Sequence, residues 1–582
     1  MIFKRREALR ADKWVKAWCW AMVWVGCAGV AQAQGVSSQE LERQGDVIQR
    51  QQQERLRELL DRARPAEPGV QGADLRGRSP EGPPSPEGGV CWPVDEVVVA
   101  GGERLQPSTL RDLQSSHAGR CLTAADIQRV LGRVTQDFFE RGEITTRAYL
   151  PEQDLASRRL LIEVVPGRIA GYRLEGEGAQ RIWLPGAFPA VGSVLNLREL
   201  EQGVEVVNRL GSQRASTDIE PGESPGESVV VVRSIGRLPL SAQLSFDNHG
   251  SDSTGKDAVS LNLVADAPLG FNERWVLSRR QSWPDGRGDH ASSSTGLDVW
   301  LPWGWQSFGI NVGESEYVNV LTLASGTPVR TDGRTSTVGL MTERVVYRDQ
   351  DSRVNWLARL SRQDSVNRLA GEKLDSSSRV LTFGEVGLGG STVWAQGLLT
   401  GQISHVQGLT WAGAERDAQG LPDEAPRAQS RKLVLDLSYV RDVAVAGVML
   451  NWSSQLNAQR AWTTLHGSQQ MLIGSLGSVR GFSRASLSGD HGVFWRNELA
   501  WPMQIEAGLT PLSVRWYVGL DMGHVESRAQ GAPSGDLGGV TLGVGIQAGR
   551  AWLDVFGSQG VWRPNSMQRE PAQFWARLSF SF

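Results

Sequence analysis

The residues best suited to chemistry are an arginine and an aspartate far apart in the chain. Arg480 stands near the end of Gly474-Ser475-Leu476-Gly477-Ser478-Val479-Arg480-Gly481-Phe482, between two strand-like runs. Glycine lets such a segment bend sharply at no steric cost. An arginine on the bend can hold a carboxylate with a forked pair of hydrogen bonds. A candidate partner, Asp521, lies in Trp516-Tyr517-Val518-Gly519-Leu520-Asp521-Met522-Gly523. Alternation puts Arg515, Tyr517, Gly519 and Asp521 on one face of that strand, with Trp516, Val518, Leu520 and Met522 on the other. Gly- and Ser-rich turns are common, so composition alone favours a surface hairpin with an incidental arginine.

Catalytic motifs do not hold up in their surroundings. Gly222-Glu223-Ser224-Pro225-Gly226 has the G-x-S-x-G spacing, but a nucleophile elbow needs a strand before it and a helix after it. Here the segment precedes a strand and Pro225 follows the serine, so it reads as a turn. Gly543 to Gly549 has one residue too many for a dinucleotide fingerprint and lies in an alternating strand. His117, His249, His290, His405, His466, His491 and His524 show no metal-ligand spacing. With no Walker loop either, no enzyme activity, metal or cofactor is expected.

Composition narrows the class. The 582 residues carry a net charge of −3, which gives no global attraction to nucleic acid. Mean hydropathy is −0.29, far from a helical membrane protein, with 67 glycines and 22 tryptophans. Residues 1–33 read as a signal peptide: Lys4, Arg5, Arg6, Arg10 and Lys13, an apolar stretch from Trp14 to Val30, then Ala31-Gln32-Ala33. Cys19 and Cys27 leave with it. Cys91 and Cys121 remain, and one pair in an exported chain reads as a disulfide. A metal site there would need more ligands than His117.

These residues need elements to position them. Residues 34–64 read as a helix too polar to bury a broad face in an apolar core. It is either a solvated arm or a plug-like helix inside something wet and charged. Residues 65–90, dense in Pro, Gly and Glu, are a linker. Residues 91–166 and 167–235 are two successive α+β modules that resemble POTRA domains. In the first, Val94 to Val99 is strand-like and Thr123 caps a helix with Ile127, Val130, Leu131, Val134 and Phe138 on its apolar face. In the second, Leu197 to Leu210 is the helix. From 236 to 582 the chain alternates polar and apolar in about sixteen runs, with long polar gaps near Ala324 and between His405 and Gln429. Period two with one wet face, and Trp and Tyr at strand ends, predicts a transmembrane β-barrel. The fold class is therefore mainly β. The last strand ends on Phe582, like the terminal signal of bacterial outer-membrane proteins, which implies the barrel assembly machinery as a partner during biogenesis.

Signal peptide, polar helix, linker, two POTRA-like modules and barrel together resemble the TpsB family, the outer-membrane transporters of two-partner secretion that export hemolysins and adhesins. Val479-Arg480-Gly481-Phe482 matches the family's VRGY/F motif, which implies an inward loop near 460–490 folded into the lumen, and Gly519-Leu520-Asp521 its G/F-x-D motif on a barrel strand. Cys91 and Cys121 match the cysteine pair usual in the first POTRA domain. The resemblance implies a pore in outer-membrane lipid, POTRA domains in the periplasm that bind a secreted β-helical exoprotein, and an Arg480–Asp521 contact in the lumen. Rival readings are a factor that inserts other barrels and a passive porin.

Overall fold

The computed structural model describes residues 38–62, 90–284, 288–322, 327–507, 510–529 and 534–582. The expected signal peptide and almost all of the linker lie outside them. A helix, Ser38–Arg62, comes first, followed by two small α+β domains and a closed barrel.

In the first domain, Glu96–Ala100 pairs in parallel with Arg159–Val165, which pairs antiparallel with Arg147–Tyr149. The helix Ala124–Glu140 covers one face of that sheet. It starts at a full capping box, with the Thr123 side chain accepting from the Asp126 N–H and Asp126 answering the Thr123 N–H. Its apolar face, Ile127, Val130, Val134 and Phe138, is at most 4% exposed. The expected single strand from Val94 is broken: Trp92–Val94 turns away to pair with Arg120–Leu122. That detour brings the Cys91 and Cys121 Cα atoms to 5.3 Å, and the two are disulfide-bonded.

The second domain repeats the plan around a central strand, Glu227–Gly236, between Arg168–Glu175 and Gln213–Pro221. Its helix, Leu197–Asn208, is capped by Asn196 and stops two residues earlier than its apolar pattern suggests.

Sixteen long strands make the barrel among the described residues, from Leu240–Asp247 to Gln573–Ser581. First and last strands pair antiparallel, Asp247 opposite Arg577 and Ser581 opposite Gln243. Outward positions are apolar and exposed, as in Trp516, Val518, Leu520 and Met522, which suits lipid. Inward positions are Ser, Thr, Asn, Gln and charged groups, buried against one another, such as Ser260, Asn262, Ser365 and Asp521. No described helix is long and apolar enough to cross a membrane, so crossing falls to the strands.

Most described connections on the side of the small domains are short, as at 304–305, 395–396 and 446–447, and long ones such as 410–430 lie on the far side. Two expected polar gaps prove shorter than their composition suggests. Near Ala324, the strands Gln306–Thr322 and Pro328–Arg348 continue pairing to Thr322 opposite Pro328. Likewise Gly397–Leu409 runs past His405 before the connection begins. Polar side chains do not end a ladder whose hydrogen bonds come from the backbone.

The second domain is bolted to three near-side turns. Trp183 exchanges hydrogen bonds with Asn272, its N–H donating at 2.9 Å and its carbonyl accepting at 2.8 Å, and its ring meets Phe271 and Trp303 edge-on. Ser212 donates its N–H to Asp266 at 2.8 Å. Glu205, on the helix, accepts from Arg348 and Arg353, which flank the turn between two long strands, and from Arg209 at 3.1 Å.

Candidate functional site: a clamped loop and a helix inside the barrel

Between the strands Val448–Ala461 and His491–Ala507 the chain folds back into the barrel. Met471–Ile473 and Leu487–Gly489 pair as a short hairpin at the base of this segment. Met471, Ile473, Val479, Phe482 and Leu487 form a small apolar core with Val525, Leu537 and Met567 from the wall and the far-side connections. A turn that composition describes as loose is therefore packed.

Arg480 is 5% exposed and Asp521 is fully buried. Arg480 Nε donates to Asp521 Oδ2 at 2.6 Å and Nη2 to Oδ1 at 2.9 Å, the forked geometry that guanidinium and carboxylate planes favour. The backbone N–H of Arg480 adds a third donor to Oδ2 at 3.1 Å. The remaining guanidinium nitrogen, Nη1, donates to Glu498 Oε2 at 3.0 Å, and Arg515 reaches the other oxygen of Glu498 at 2.5 Å. Asp521 and Glu498 offset the burial of the Arg480 charge, and because a guanidinium does not deprotonate in proteins, Arg480 is a fixed cation at every ordinary pH.

The wall is shaped to take this loop. A Cβ on Gly519 would stand 2.3 Å from Arg480 Nη2, one on Gly539 1.8 Å from the Arg480 carbonyl oxygen, and one on Gly560 2.7 Å from the Phe482 ring. Gly481 has φ +102, open to glycine but strained for other residues. Its carbonyl accepts the Gly560 N–H at 3.1 Å. Three adjacent strands thus leave their backbone bare where the loop lies on them.

The N-terminal helix shares the lumen. Gln49 donates to Ser365 on an inward strand position, and Arg50 Nη1 donates to the Ser468 carbonyl at 3.0 Å. At Gly467 the helix is so near that a Cβ would fall 2.5 Å from Asp46 Oδ2. Gln52 adds a contact to Thr254, so the described polar side chains of the helix face inward wall positions and the inward turn.

Of the expected residues, Arg480 meets Gly519 and Asp521 directly, while Val479 lies against Gly523 and Gly481 and Phe482 lie against Gly560. Phe582 instead exchanges backbone hydrogen bonds with Ala242 at the closing seam. Sequence reasoning missed Glu498, Gly539 and Gly560. Glu498 joins the clamp through register, standing opposite Gly519 on the neighbouring strand. Gly539 and Gly560 gave no signal among so many glycines.

This arrangement has close parallels. Residues 226–546 match the family described as haemolysin secretion/activation protein ShlB/FhaC/HecB, and residues 92–167 and 168–221 match POTRA domains, the first of ShlB type. The outer membrane transporter CdiB of Dickeya dadantii is 31% identical over 80% of this chain and 82% of its own. The hemolysin transporter protein ShlB of Serratia marcescens is 28% identical over 86% and 88%. The solved structure of CdiB from Escherichia coli superposes with a TM-score of 0.82 at 29% identity, covering 95% of this chain and all of that one. With a family match spanning more than half its length and relatives aligned along most of the rest, the chain belongs to the ShlB/FhaC/HecB family of outer-membrane transporters of two-partner secretion.

Proposed function

We propose that this chain exports one partner exoprotein through its barrel, that the two POTRA domains receive the partner in the periplasm, and that the loop held by Arg480 is the element whose position governs passage. The observation that carries the reading is the closed barrel whose lumen holds both a polar helix and a loop fastened by a buried, forked ion pair. A passive porin needs neither periplasmic modules nor a built-in obstruction. The partner is expected to arrive as an extended chain and to add a strand to a sheet edge, such as Arg147–Tyr149 in the first domain or Gln213–Pro221 in the second. Outer-membrane lipid surrounds the apolar belt, and the barrel assembly machinery inserts it by way of the strand ending at Phe582. Among the described residues no group of His, Cys, Asp or Glu is arranged to hold a metal. Direction would come from folding of the partner outside.

The test is export itself. Co-expressed with the exoprotein encoded beside it, the wild-type chain should release that protein into the medium. A chain lacking residues 91–235 should insert its barrel but release none. Equal release by the truncated chain would remove the POTRA domains from the pathway.

A further inference from the structure

Past Phe482 the inward loop leaves the wall, and its next three residues all meet one carboxylate. Glu570 lies in the connection between the last two strands, Ala551–Trp562 and Gln573–Ser581, and is 8% exposed. Its oxygens accept the backbone N–H groups of Ser483 at 2.8 Å, Arg484 at 3.2 Å and Ala485 at 2.9 Å, together with the Ser483 hydroxyl at 3.1 Å. Gln573 Nε2 donates to the same carboxylate at 2.7 Å. The Glu570 carbonyl in turn accepts from Gln559 Nε2, on the wall, at 2.9 Å, which fixes where this connection stands.

Successive main-chain N–H groups in irregular backbone form a concave seat for an anion. These three donors have no ladder to join, and a partly buried donor without an acceptor is costly. One carboxylate satisfies all three, as no neutral side chain of that size could. Met567, in the same connection, packs into the apolar core under Val479 and Phe482. The connection is therefore the outer half of the socket whose inner half is Asp521. The exposed contact of Arg484 with Asp252 at 3.3 Å adds little.

We propose that Glu570 is a second positioning residue of the transport loop, setting the direction in which the chain leaves the Arg480 clamp toward the extracellular mouth. This rests on the reading that loop position governs export.

The experiment uses the full chain in outer membranes with a reporter thiol, Ser486→Cys, at a half-buried loop position. Labelling by a membrane-impermeant maleimide reports loop release, and exoprotein in the medium, normalised to inserted barrel, reports export. Glu570→Ala should raise the labelling rate about tenfold and lower export by a similar factor, at unchanged barrel abundance and heat-modifiability. Glu570→Gln, which keeps one oxygen, should fall between, and it serves if Glu570→Ala does not insert. Unchanged labelling in both variants overturns the proposal whatever export does, and so does raised labelling with normal export beside a blocked Arg480→Ala control. If Arg480→Ala itself exports normally, the transport reading of the loop fails, while labelling still decides whether Glu570 holds it.

Discussion

Arg480 gives Asp521 three hydrogen bonds, two from its guanidinium and one from its own backbone N–H. The carboxylate thus fixes both the side chain and the bend that carries it. Removing either partner of a buried ion pair costs about 3–5 kcal/mol, because the other charge is left without compensation. Lumen water would bring this toward the lower end, too little to unfold sixteen paired strands. Arg480→Ala and Asp521→Ala should therefore each insert normally and each block export. The double variant should be no worse than either single, since the pair acts as one unit. The readout is exoprotein in the medium against heat-modifiable barrel. Additive defects would mean that the two residues serve separate roles.

The helix Ser38–Arg62 rests on the lumen wall and on the turn Gly467–Gln469, through side chains that water could replace. Net hydrogen bonds of this kind contribute about 0.5–1.5 kcal/mol each. Deleting residues 34–64 should leave the barrel folded and raise its single-channel conductance in planar bilayers. Conductance equal to that of the parent would show that the helix does not limit the open path.

Much of this was legible beforehand for physical reasons. Alternation with period two survives through most of the barrel, apart from shifts at Val345/Tyr347 and Gly538/Gly539, because one face meets lipid and the other water, so strand number and the inward placement of Asp521 follow largely from spacing. The capping box at Thr123 and Asp126 is local chemistry, readable without tertiary context. What composition could not convey is set by contacts between distant segments. Glu498 becomes part of the clamp only through register with the next strand, and Gly539 matters only because Arg480 lies over it. Polar residues near Ala324 and His405 looked like loops because lumen and loop favour the same side chains.

Gly539 offers a direct test of loop docking. A methyl group there would stand 1.8 Å from the Arg480 carbonyl, a backbone atom that no rotamer change can move. Overpacking of this kind costs about 1–3 kcal/mol, enough to lift the loop. Gly539→Ala should therefore impair export. Gly557→Ala on the next strand, where the nearest atom is 3.5 Å away, should not. Equal export by the two variants would show that close contact between loop and wall is dispensable.

Glu205 should govern how firmly the second POTRA domain sits on the barrel. Burial alone would raise its pKa, but Arg353, Arg209 and Arg348 overcome this and bring it down to about 2. A glutamate in an unfolded or undocked segment titrates near about 4.3. Because the docked value is the lower one, the carboxylate stabilises docking fully above about pH 4.3, and this contribution fades as pH falls toward 2. Spin labels at the exposed positions Glu223 on the domain and Val445 on a near-side turn report the geometry. Their distance distribution should be narrow at pH 7 and broaden on acidification. Glu205→Gln should broaden it at pH 7 already, because Arg348 and Arg353 then lose the carboxylate they share. A Glu205→Gln distribution as narrow as that of the parent, unchanged by acid, would mean that the aromatic contacts of Trp183 hold the domain unaided.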